Sequence, residues 1–255
     1  MEAGERDGAL LIRPLTPARV DDVKKVMRGT WGATCWDLWP RYTQKQQVER
    51  GLAHAPDAKR RAELARLARR RHAPGLVAYR GGEPIGWVSI GPRFDFARID
   101  TSRATPPVDD VAVWVIPCIT VRRGHRGRGV AVALIRAAVD YAREHGAPAV
   151  EAYPRADAAR VHDDFAFYGT AAMFRKAGFR QARGVLARLP KSWTARVTMR
   201  APATRRAGSR VGEGSATRRG ARGARVARPR TLARRRARRP RVARGPGARR
   251  REARA

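Results

Sequence analysis

The stretch from Val121 to Ala131, VRRGHRGRGVA, decides how the rest of the chain is read. It follows an apolar run, VAVWVIPCITV from Val111 to Val121, and precedes apolar or small residues at Ala131, Leu134, Ile135, Ala138, Tyr141 and Ala142. The near-continuous apolar run suits a central strand buried on both faces. The stripe at helical spacing predicts a helix over Val130 to His145, with Gly146 as its C-cap. Between them, Gly124, Gly127 and Gly129 let the backbone turn tightly with no Cβ in the way. Successive N–H groups can then point at a phosphate while the helix adds its positive end. Arg122, Arg123, Arg126 and Arg128 surround this cradle with charge, which suits a pyrophosphate or a nucleotide 3′-phosphate. Taken alone, the segment also reads as a flexible basic turn or a nucleic-acid contact.

Spacing narrows the ligand. A Walker loop needs GxxxxGK followed by Ser or Thr, and a dinucleotide fingerprint needs GxGxxG; the order here, GxxGxG, meets neither. The flanking pattern alternates strands and helices. Ala9 to Arg13 reads as a strand, and Thr16 as the cap of a helix that starts at Pro17 and runs toward Arg28. Gln44 to Leu52 and Asp57 to Arg71 read as helices. Gly75 to Arg80 and Ile85 to Ile90 read as a hairpin joined through Gly81, Gly82, Glu83 and Pro84. Phe94 to Pro107 is a polar loop that can serve as a lid or simply be mobile. A strand at Pro148 to Tyr153, a helix near Thr170 to Ala177 ended by Gly178, and strands at Phe179 to Val185 and Ala195 to Met199 complete the series. The fold class is therefore α/β (α+β): a mixed, largely antiparallel central sheet flanked by helices.

With these elements in place, residues 9–200 resemble the GNAT acetyltransferase superfamily. Its acetyl-CoA signature, Gln/Arg-x-x-Gly-x-Gly/Ala, is met by Arg126, Gly127, Arg128, Gly129, Val130 and Ala131. The following strand VEAYP and the helix leading into MFRKAGF resemble the family's order as well. The resemblance implies acetyl-CoA, or another short acyl-CoA, as acyl donor and a primary amine of a small molecule or peptide as acceptor, attacked directly. It implies that Ile119 and Val121 on the buried strand receive the pantetheine and the thioester, and that the amides of Arg126 to Ala131 receive the pyrophosphate.

Acid and base are where the chain departs from that pattern. Many relatives carry a tyrosine where MFRKAGF has Phe174, and a phenyl ring donates no proton; some carry a glutamate where this chain has Val113 and Trp114. Tyr168 is then a candidate acid, with a partly buried packing role as its alternative. Glu151 is a candidate base if it faces the cleft and an ordinary surface carboxylate if it does not, since strand alternation leaves the face open. Asp109 and Asp110 are further candidate bases, with solvation of a loop or strand edge as the favoured alternative. Cys118 could form an acyl-cysteine only with an activating base, and no histidine is placed for that; it reads as a small buried hydrophobe. Trp31, Cys35, Trp36, Trp39 and Tyr42 either wall an acceptor pocket or cover the sheet.

Charge adds a competing class. The net charge is +34, and residues 201–255 hold 20 of the 56 Lys and Arg but 2 of the 22 Asp and Glu, with no aromatic residue. Such a segment cannot offset its chain entropy by burial, so a disordered tail is expected, one that would bind nucleic acid without sequence specificity or serve as an extension with no catalytic part. The alternative function is thus a basic nucleic-acid-associated protein with a catalytically idle GNAT-like domain. Two cysteines exclude a disulfide scaffold and a four-cysteine zinc site, and the five histidines have no metal-ligand spacing. The acidic N-terminus resembles no signal peptide, and the run from Val111 to Val121 is too short to cross a bilayer, so a cytoplasmic location is expected.

Overall fold

The computed structural model describes residues 8–30, 32–156, 166–190 and 193–204. Among these residues, sixteen strands and α-helices follow in chain order. The first eight are strand β1 (Leu11–Pro14), helices α1 (Val20–Met27), α2 (Gly32–Cys35), α3 (Gln44–Glu49) and α4 (Asp57–Ala68), and strands β2 (Gly75–Arg80), β3 (Glu83–Ser89) and β4 (Gly91–Pro92). The second eight are α5 (Ala97–Asp100), β5 (Trp114–Ile116), β6 (Ile119–Val121), α6 (Val130–Glu144), β7 (Ala149–Ala152), α7 (Ala171–Lys176), β8 (Arg180–Arg183) and β9 (Thr198–Pro202). They form two sheets, one ordered β1-β2-β3-β6 and one ordered β4-β5-β7-β9-β8, and every pairing is antiparallel except β5 with β7.

The hairpin forms as expected, with Gly81 and Gly82 both at positive φ (55° and 79°), the backbone a two-residue turn between twisted strands needs. Helix α6 also follows its stripe, burying Val130, Leu134, Ile135, Ala138, Val139, Tyr141 and Ala142. These side chains pack on Leu76, Ala78, Val88, Trp114, Ile116, Val150 and Ala152, which alternation places on one face of the two sheets, and on Ile85, which the register shift between β2 and β3 brings to that cluster. Gly86 permits the close approach: a Cβ there would lie 2.8 Å from Leu134 Cδ1. The opposite face is covered by two clusters. Val77, Trp87 and Cys118 pack under α1, α4, Trp36 and Tyr42, and Val113, Val115, Ala149 and Tyr153 pack under Phe96, Ile99 and Tyr168.

Several sequence expectations are corrected. The run from Val111 to Val121 is not one strand but two, β5 and β6, in different sheets. Pro117 cannot donate to a ladder, and at Cys118 the chain changes partner: its carbonyl accepts from Ser89 N–H of the first sheet. Thr16 makes no capping hydrogen bond; Pro17–Arg19 form a 3-10 turn before α1 begins at Val20. Part of the expected loop from Phe94 to Pro107 is α5, tied down by Arg93, whose guanidinium donates to the carbonyls of Ile99 (2.9 Å) and Thr105 (2.6 Å). The last strand lies three residues later than expected and runs to Pro202, with Ala203 N–H donating to Pro148. The tail beyond Thr204 lies outside the described residues. No helix among the described residues is long and apolar enough to cross a membrane.

Candidate active site

The two sheets part where β5 gives way to β6, and a cleft of about 570 Å³ opens beside β6. Ladder bonds from Ser89 N–H to Cys118 and from Arg122 N–H to Ile85 fix the register of β6 on β3. By the alternation of an antiparallel pair, the backbone groups of Ile119 and Val121 therefore point away from β3, toward the cleft that both residues line. The Ile119 N–H is already taken by the Phe167 carbonyl at 2.7 Å, so the strand donor left facing the cleft is Val121 N–H. Both strand positions expected to contact the acyl donor thus reach the cleft, but the Ile119 amide has a partner that must yield before it can polarise a carbonyl.

The glycine loop closes one end of the cleft. Gly124, Gly127 and Gly129 have φ of 76°, 73° and 77°, a backbone that L side chains resist, and a Cβ on any of them would meet nothing within 4 Å. Backbone conformation, together with the open space in front of it, accounts for glycine here. Gly129 is the N-cap of α6, and the first helical bond runs from Ala133 N–H to Gly129. The amides of Val130, Ala131 and Val132 consequently have no partner within the helix and sit at its positive end. Arg126, Gly127, Gly129, Val130 and Ala131 line the cleft with Lys176 of α7, while Arg128 is exposed beside it. Arg126 folds back so that its Nε donates to Val121 at 2.9 Å, and Arg122 pairs with Glu83. Burial pushes the His125 imidazole pKa down; Arg122, Arg128 and Arg80 push it the same way and Glu83 opposes them. This set of donors and cations, open to the cleft, fits a pyrophosphate.

The candidate acid and base are placed differently. Glu151 faces away from α6, opposite Val115, and is buried: its Oε1 accepts from Arg200 Nε (2.9 Å) and Nη2 (2.6 Å), and its Oε2 from the Tyr153 hydroxyl (2.7 Å). Arg200 also holds Asp109, and Arg93 donates to Tyr153 at 2.5 Å. Glu151 is therefore neither a surface carboxylate nor a lining residue of the cleft, but the centre of a buried ion network. Asp109 is spent on Arg200 and on the Val111 amide. Tyr168 is also buried, between the cleft-lining Phe167 and Gly169, with the Arg196 guanidinium 3.6 Å above its ring. Burial raises its pKa, against the fields of Arg196 and Arg98. Phe174 is fully buried against Phe179.

Cys118 is likewise buried, and burial pushes its thiol pKa well above the usual value. Of the aromatic series, Trp36 and Tyr42 are core, while Trp39 meets Phe167 edge-on (centroids 6.0 Å apart) and lines a small cavity of about 100 Å³ with Cys35. Trp31 lies outside the described residues. Sequence reasoning missed Thr30, Gly32, Phe167 and Met173 as lining residues; each arrives by long-range packing that no local motif signals.

The model of the acetyltransferase (GNAT) family matches residues 31–167, more than half of the chain. Similar solved structures include an N-acetyltransferase from Staphylococcus aureus Mu50, with 12% identity, 77% of this chain and 100% of that one covered, and a TM-score of 0.45. A ribosomal-protein-alanine N-acetyltransferase from Brucella melitensis has 17% identity, coverage of 75% and 99%, and a TM-score of 0.45. An aminoglycoside N-acetyltransferase, AAC(6')-Iy, in complex with CoA has 18% identity, coverage of 73% and 97%, and a TM-score of 0.45. No curated protein gives a significant match. By the extent of the family match, the chain belongs to the GNAT family of acyl-CoA-dependent N-acetyltransferases.

Proposed function

We propose that this enzyme transfers an acetyl or other short acyl group from acyl-CoA to a primary amine by direct attack. The observation that carries this reading is the continuity of the β6 edge that faces away from β3 with the open N-terminus of α6 along one cleft. The α6 amides from Val130 onward, with Arg126, Arg128 and Lys176, hold the phosphates; the β6 edge at Val121 and Ile119 holds the pantetheine arm by strand-like hydrogen bonds. Bound acyl-CoA supplies an activated thioester, whose carbonyl carbon is open to a nucleophile. The Ile119 amide, once released from Phe167, donates to the carbonyl oxygen as charge develops there. Cys118 takes no part, since its raised pKa leaves a thiol rather than a thiolate at neutral pH. Glu151 supports the fold rather than removing the ammonium proton, because both its oxygens are spent on Arg200 and Tyr153. We assign this activity to the domain expected at residues 9–200, which β9 carries on to Pro202.

Incubating the full chain with acetyl-CoA and a panel of primary amines tests the reading. Amine-dependent release of free thiol, with a product heavier by one acetyl group, is the expected result. Binding of acetyl-CoA without acceleration of thiol release by any amine would overturn it.

A further inference from the structure

Four backbone groups of β6 face the cleft: the N–H and C=O of Ile119 and of Val121, which the ladder to β3 leaves pointing outward. Two of them are engaged by other parts of the chain. Ile119 N–H donates to the Phe167 carbonyl at 2.7 Å, and Val121 C=O accepts from Arg126 Nε at 2.9 Å. The second contact joins two halves of the site. Arg126 belongs to the glycine loop at the phosphate end of the cleft and lines that cleft itself, yet its guanidinium turns back to fill an acceptor on the strand. The side chain is exposed, so it can swing away without disturbing the core.

The phosphate end and the strand edge therefore compete for one side chain. A pantetheine arm that lies along β6 like an added strand must present an N–H to the Val121 carbonyl, the group that Arg126 now fills. A pyrophosphate at the N-terminus of α6 offers the same guanidinium an anionic acceptor that its planar fork matches with two hydrogen bonds. Arrival of the phosphates draws Arg126 off Val121 and opens the carbonyl to the arm. A donor without phosphates has to displace Arg126 with no anion to receive it, and the arm then only replaces the hydrogen bond that it broke.

We propose that Arg126 is a positioning residue that couples the two halves of the acyl donor, holding the Val121 carbonyl closed until the phosphates draw it away. This rests on the transferase reading above. Such coupling is reciprocal, so each half of the donor tightens the binding of the other by the same factor. An arginine that only added charge to the phosphate cradle would leave a phosphate-free donor unaffected by its loss.

Two fragments separate the halves in the full-length protein: S-acetylpantetheine, which has the arm but no phosphate, and ADP, which has the pyrophosphate but no arm. Ligand-observed NMR titration reads the Kd of each, alone and with the other present. Saturating ADP should tighten S-acetylpantetheine binding to wild type about fivefold or more. Arg126→Met keeps the length of the side chain and removes the donor. Without ADP it should bind S-acetylpantetheine about threefold or more tighter than wild type does, while binding ADP and acetyl-CoA more weakly. A damaged cleft would weaken all three, so shifts of opposite sign in one variant report the coupling rather than a structural defect. In Arg126→Met the response of S-acetylpantetheine to ADP should also vanish. An S-acetylpantetheine affinity that neither ADP nor Arg126→Met changes, or no binding of it in any of these mixtures, would overturn the inference, while acetyl-CoA binding to wild type would leave the transferase reading standing. Absence of acetyl-CoA binding to wild type would instead remove both.

Discussion

Replacing Glu151 by Gln separates a structural carboxylate from a catalytic one. The native side chain accepts two hydrogen bonds from Arg200, at 2.6 and 2.9 Å, and one from Tyr153, whose hydroxyl in turn accepts from Arg93. Glutamine keeps the shape but loses the charge, and its amide nitrogen meets a Tyr153 proton that then needs a new acceptor. Hydrogen bonds to charged groups contribute about 1.5–3 kcal/mol each, whereas removing one partner of a buried pair costs about 3–5 kcal/mol. Arg200 keeps Asp109 as a second carboxylate, so the expected loss falls toward the lower figures, about 2–3 kcal/mol. In a domain of this size 1 kcal/mol shifts Tm by about 2–4 °C, which gives a fall of about 4–12 °C. Thermal unfolding followed by circular dichroism reads the Tm, and turnover at saturating acetyl-CoA reads kcat. The expected outcome is a lower Tm with kcat within about threefold of wild type at a temperature where both proteins are folded. An unchanged Tm with kcat reduced a hundredfold would show that Glu151 is the base and that its ion network is incidental.

Two further outcomes follow from the buried groups. His72 packs against Trp114 and His145 (ring centroids 5.0 and 4.8 Å away), and burial lowers its pKa, as do His145, Arg71 and Arg70, while Asp95 opposes them. A histidine whose folded pKa lies below its unfolded value binds fewer protons when folded. Its contribution to stability is present above the unfolded pKa near 6.5 and is lost as pH falls from there through the folded value. Tm should therefore drop between pH 7.5 and 5, and His72→Gln should flatten the drop; an equal slope in the variant would contradict this. Cys118→Ala should retain acetyl transfer within about threefold, with no covalently acetylated wild-type enzyme seen by intact mass; loss of activity in a folded variant would bring back the acyl-cysteine.

How much of this was legible in the sequence depended on the range of the interaction concerned. The turn at Gly81 and Gly82, the stripe of α6 and the cradle of Gly124, Gly127 and Gly129 are local, set by φ and by helical period, and they stand where the pattern placed them. The division of Val111 to Val121 was marked by Pro117, whose missing donor argues against an unbroken central strand, but apolar composition overrode that signal. The face of Glu151 depended on its register opposite Val115 and on Arg200, 49 residues away, and neither leaves a trace in a single strand's alternation. The same holds for Phe167 on the Ile119 amide and for Arg98 and Arg196 around Tyr168, which tertiary packing alone brings together.

Isothermal titration of acetyl-CoA into the full chain at moderate salt, for wild type and for Gly129→Glu, tests the acyl-CoA cleft most directly. The variant adds a carboxylate at the N-terminus of α6, which the helix end favours by about 0.3–1 kcal/mol, in a left-handed backbone that costs about 1–2 kcal/mol, so the fold should survive. The same carboxylate fills the open space in front of the cradle and repels a pyrophosphate. Micromolar one-site binding by wild type, weakened about a hundredfold or more in a variant that still unfolds cooperatively, is the expected result. No heat from folded wild type, or an unchanged Kd in the variant, would contradict the assignment of this cleft to acyl-CoA.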